Sequence, residues 1–79
     1  MKFVYWASSG LSDPTKASIP LHLAVNGSVE VGHDTSIILA GDAAEIVVGD
    51  NHETMEGLGL PPMRELLAKI KEHSVPVFV

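Results

Sequence analysis

The chain has 79 residues, 46% of them hydrophobic, and five Lys and Arg against ten Asp and Glu give it a net charge of −5. That is one domain, 1–79, near the lower size limit for an independent core, and richer in apolar residues than so small a core can hide. No basic patch exists for nucleic acid or an anionic membrane, and the absence of cysteine removes disulfides, thiolate metal sites and cysteine nucleophiles.

Lys2-Phe3-Val4-Tyr5-Trp6-Ala7 opens the chain as a strand. Its apolar residues show no clean alternation, which predicts burial on both faces, with Tyr5 and Trp6 as core aromatics. A polar loop, Ser8-Ser9-Gly10-Leu11-Ser12, leads to Asp13 as N-cap and Pro14 at the first helical position. The spacing then predicts a helix from Pro14 to Val31, stopped at Gly32, with Pro20 either kinking it or marking a proper start at Ile19. Its apolar lines are Ile19, Leu23 and Val31, and Leu21, Val25 and Val29. The competing pattern is a shorter helix ending near Val25, then a turn at Asn26-Gly27-Ser28 and a hairpin into Ser28–Val31.

Thr35 to Ala40 reads as a second buried strand. Gly41-Asp42 turns the chain, and Asp42 is placed to cap a short helix over Ala43 to Val48. A long loop, Asp50 to Pro61, carries Met55, Leu58 and Leu60, which want a surface to bury on. A last helix from Pro62 to about His73 shows an apolar stripe of Met63, Leu66, Leu67 and Ile70, and Val75 to Val79 forms a third strand.

This order of elements is α/β, with a parallel sheet and flanking helices. With strand order 2-1-3, the two crossovers fall on opposite faces and give a three-layer, flavodoxin-like beginning. The first strand is then central. Its loop becomes one wall of a crevice at the carboxyl ends of the strands, with Ser8, Ser9, Gly10, Gly41 and Asp42 at the rim and the other wall beyond Val79. Ending on so apolar a strand, the sequence reads as a truncated version of a longer protein.

The stretch Phe3 to Gly41 resembles the DsrE-like group of sulfur-relay proteins, whose fold is called YchN-like. The matching pieces are the first strand, the loop Ser8 to Pro14, the helix ending Glu30-Val31-Gly32-His33-Asp34 and the strand closing in Ala40-Gly41-Asp42. Glu65 to Glu72 before Val75-Pro76-Val77 fits as well. The resemblance implies a homo-oligomer, a trimer or hexamer, with sulfur-relay proteins as partners. Several members carry persulfide sulfur on a cysteine just after the strand matching Val75 to Val79. This chain has no cysteine, so no catalytic residue carries over.

Other chemistry finds little footing. Gly-x-Ser-x-Gly is absent, and His22, His33, His52 and His73 lack the spacing of metal ligands. No cofactor is implied. Without a signal-peptide core or a run of about 20 apolar residues to cross a bilayer, the expected location is cytoplasmic. Two functions are in keeping with these residues: a DsrE-like protein of sulfur relay that lacks its own sulfur carrier, or a non-enzymatic oligomeric module that binds a small anion, a nucleotide or a protein.

Overall fold

A computed structural model describes residues 2–79. Three parallel strands form one sheet: β1 (Lys2–Ala7), β2 (Asp34–Leu39) and β3 (Val77–Phe78). Between β1 and β2 runs α1 (Pro14–Leu23), continued by a π-helical segment, Ala24–Ser28. Between β2 and β3 come two 3-10 turns, Gly41–Val47 and Asn51–Glu53, and then α2 (Met63–Glu72). Among the described residues no helix is long and apolar enough to cross a membrane.

The parallel α/β character agrees with the sequence pattern, but the strand order does not. The order is β1-β2-β3, not 2-1-3, so β2 is central and β1 lies at an edge. Both crossovers therefore step the same way across the sheet, and right-handed crossovers that do so leave their helices on one face. The core shows this directly. Leu21, Ala24 and Val25 from the first helical stretch join Met63, Leu66 and Ile70 of α2 against Ala7, Ile37 and Leu39 of the sheet. Helices on both faces, and hence three layers, are not what forms.

Alternation along the strands results from that arrangement. Phe3, Tyr5 and Ala7 of β1 lie toward the helices with Thr35, Ile37 and Leu39 of β2. Val4 and Trp6 lie on the other face and are 62% and 63% exposed. β1 is thus covered on one face only, and Trp6 is not a core aromatic. Tyr5 is half-buried, with its hydroxyl hydrogen-bonded to Ser28 Oγ.

The first helical stretch departs from α geometry where the sequence left two patterns open. Asp13 caps it as expected, its Oδ1 accepting from Lys16 N–H at 3.1 Å. Pro14 takes a first-turn position and Pro20 is accommodated within the helix. After Leu23 the chain widens instead of breaking, with Val29 N–H donating to Ala24 C=O at 3.0 Å and His33 N–H to Ser28 C=O at 2.9 Å. Gly32, at φ +81°, then takes the left-handed backbone that ends the segment. The buried stripe is Ala17, Leu21, Ala24 and Val25 with Ser18 and Ser28, whereas Ile19, Leu23 and Val31 are exposed.

The second half is closer to expectation. α2 buries Met63, Leu66 and Ile70, with Leu67 half-buried at the edge of the core. Met63 N–H donates to Met55 C=O at 2.9 Å, fastening the start of α2 to the preceding loop. That loop divides its apolar residues: Met55 is buried and Leu58 is 90% exposed. β3 is only two residues long, shorter than the expected Val75 to Val79, and Ile37 N–H donates to Pro76 C=O at 2.9 Å beside it.

Because Ile37 is fully buried at the centre of the sheet, Ile37→Ala is expected to destabilise the chain by about 3 kcal/mol in urea denaturation. Leu23→Ala, on the exposed side of α1, should change it by less than about 1 kcal/mol.

Candidate functional site

Two surfaces come out of this fold, the rim at the carboxyl ends of the strands and the open face of the sheet. At the rim, β1 and β2 end side by side, and Ala40 N–H donates to Ala7 C=O at 2.8 Å. The loop after β1 therefore lies against the 3-10 turn that comes after β2. Ser8 is exposed, Ser9 half-buried and Gly10 buried, while Gly41 and Asp42 are exposed. The structure brings Gly10 and Asp42 together so closely that a Cβ on Gly10 would run into the Asp42 carbonyl and the Glu45 carboxylate. Gly41 turns out of β2 with φ +54°. Among the described residues, the neighbour of the Ser8–Asp13 loop is thus the Gly41–Val47 turn.

Asp42 is not a cap. Ala40 holds the N-cap position of that turn, with no side-chain hydrogen bond, and Asp42 stands in its first turn. The residue that governs the rim is Glu45, which the sequence pattern did not single out. Its Oε1 accepts from Leu11 N–H at 3.1 Å. With Asp13 on Lys16 N–H, two carboxylates of the chain itself take N–H groups that an incoming anion would use. Asp42 adds a third acidic group to the same rim. This arrangement disfavours phosphate or nucleotide at Ser8, Ser9 and Gly10 and makes the loop a structural joint.

The open face has different chemistry. Register places Trp6 beside Ile38 and Ile38 beside Phe78, so one apolar row crosses all three strands. Val4 lies on the same face next to Ser36, and Lys2 next to Asp34 at the amino end. Phe78 is 58% exposed and Val79 76%. Apolar residues at the centre with charge confined to one end are the composition of an interface.

Two grooves lie away from the rim. One, of about 380 Å³, is lined by Asn26, Pro61, Glu65, Leu66, Ala68 and Lys69. Its polar groups already engage one another: Lys69 Nζ donates to Asn26 Oδ1 and, at 3.1 Å, to Glu30 Oε1, while Asn26 Nδ2 meets His22 Nδ1 at 3.0 Å. The other, of about 190 Å³, lies at the amino ends of the strands and includes His33, Asp34, His73 and Ser74. Its His33 ring packs on Phe3 at 4.9 Å between centroids. Among the described residues no group of three or more histidine and acidic side chains is placed to hold a metal ion.

Gly10→Ala is expected to destabilise the chain by about 1–3 kcal/mol, since a methyl there forces two packed loops apart. Adding Glu45→Ala should fail to restore stability in the same denaturation assay, because the Asp42 carbonyl remains in the way. No protein-family model, curated protein or solved structure matches this chain.

Proposed function

We propose that the chain is a non-enzymatic assembly module whose working surface is the open face of its sheet and whose partner is protein, foremost further copies of itself. The observation that carries this reading is the row Trp6, Ile38, Phe78 on the uncovered face. β1 has the composition of a strand buried on both faces, yet its own helices cover one. A second chain supplies the missing cover. Trp, which stands at one end of this row, is among the residue types that most often anchor an interface.

Magnitudes bound the strength of this contact. Fully burying one large apolar side chain gains about 1.5–3 kcal/mol, and these side chains are already partly covered. Association costs about 4–15 kcal/mol in lost translational and rotational freedom. The face alone therefore supports weak, concentration-dependent association, and tight assembly requires a further contact. A sulfur-relay role, which the resemblance to DsrE-like proteins implies, enters as a second use of this surface. Its thiol would come from the bound partner, since the chain has none of its own.

Trp6 is the chain's single tryptophan and reports on the face directly. Raising the concentration is expected to shift its emission to the blue while sedimentation shows a growing assembly. Ile38→Lys, in the middle of the row, should abolish the blue shift and lower the assembled mass while far-UV circular dichroism stays that of the folded chain. Emission and mass that stay constant up to about 1 mM, where even a contact of only about 4 kcal/mol is half formed, would refute the reading.

A further inference from the structure

The additional contact is offered by the edge of the sheet. In a parallel ladder a residue's N–H and C=O turn to the same neighbouring strand, and the next residue's turn the other way. Ala7 C=O accepts from Ala40 N–H, so Phe3, Tyr5 and Ala7 direct their backbone groups to β2. Lys2, Val4 and Trp6 direct theirs outward. Among the described residues no backbone group pairs with that edge. Edge strands are ordinarily protected by proline, by a bulge or by inward charge, and Lys2–Ala7 has none of these except Lys2 at one end.

We infer that two copies of this chain pair β1 against β1, antiparallel, about a two-fold axis through Val4. This rests on the assembly reading above and gives it a geometry. An axis normal to the sheet keeps the helices of both copies on one side and both open faces on the other. Residues that meet must then share a face, which admits Lys2, Val4 and Trp6 opposite one another and excludes Phe3 or Tyr5 opposite any of them. Centring the pair on Val4 uses every outward group of the strand. Val4 meets Val4 of the partner subunit, and Lys2 meets the partner's Trp6. Each of these pairs exchanges both of its N–H to C=O hydrogen bonds.

Charge favours this direction. Lys2 is the single charged residue of the strand, in a chain of net charge −5. Antiparallel pairing sends the two lysines to opposite ends and sets each ammonium beside an indole, where the ring attracts it. Parallel pairing would set lysine against lysine. Two three-stranded sheets become one, and the two apolar rows lie side by side on one continuous face. Face and edge are both two-fold contacts, so using both makes a dimer of dimers.

The chain has no cysteine, so a single Val4→Cys change introduces the sole thiol. Cα atoms opposite each other in an antiparallel pair are within disulfide reach, so mild oxidation should give a covalent dimer about tenfold faster than with Ser36→Cys on the same face of β2. Lys2→Cys and Trp6→Cys chains should cross-link when mixed and little when separate. Val4→Pro removes the outward N–H and no bond to β2, and is expected to halve the assembled mass with the circular dichroism spectrum retained. Val4→Cys no faster than Ser36→Cys would overturn the inference. So would cross-linking between Val4→Cys and Trp6→Cys chains, which reports another register, or assembly unchanged by Val4→Pro. In each of those cases Ile38→Lys still lowers the assembled mass if the face reading holds. Edge cross-linking that survives alongside an inert Ile38→Lys would instead remove the face reading alone.

Discussion

A right-handed crossover has no choice about where its helix goes once the direction of the step across the sheet is set. Here both steps run the same way, from β1 to β2 to β3, and both helices fall on the side of Ile37 and Leu39. That constraint decides the rest. It makes β2 the strand with neighbours on both sides, puts an aromatic six-residue strand at an edge, and leaves Val4, Trp6 and Phe78 with water where a second layer would otherwise stand. The core that remains is small and built largely from alanine, valine, leucine, isoleucine and methionine, with the aromatic residues at its margins or outside it.

The rim shows the same economy turned inward. A loop between a strand and a helix N-terminus is commonly an anion site because its N–H groups lack partners. In this chain Glu45 and Asp13 supply those partners from within. The two loops at the rim then close on each other around Gly10, where the absence of a side chain permits the contact. A loop with the composition of a binding loop here packs against the turn that follows β2.

Local features were readable from the residues alone. Asp13 and Pro14 announce the start of α1, and Gly32 the end of the stretch that continues it, though not the change to π geometry after Leu23. The stripe of Met63, Leu66 and Ile70 announces α2 and its buried side. The global step failed on one ambiguity, because an apolar residue on a strand looks alike whether the chain's own helices cover it or leave it open. Val4 and Trp6 argued for a central strand and so for the order 2-1-3. The same ambiguity misplaced Ile19 and Leu23, which obey helical spacing as well as Leu21 and Val25 do but lie on the exposed side. Glu45 was invisible for a different reason: its partner, Leu11, is 34 residues away in sequence, and nothing local marks the pair.

The π-helical segment carries a consequence for how the chain tolerates length changes. A π turn is an α turn that has taken in one extra residue, so it advances the phase of every residue C-terminal to it. The positions of Ser28 beneath Tyr5 and of Glu30 against Lys69 depend on that advance. Were Ala24–Ser28 to take α geometry at unchanged length, its C-terminal end would rotate by about 100°, a little over a quarter turn, and lose its alignment with both the sheet and α2. Deleting one residue from the segment would instead restore a regular helix with that alignment kept. The segment absorbs one residue, and a loss of one is the change of length this stretch accommodates.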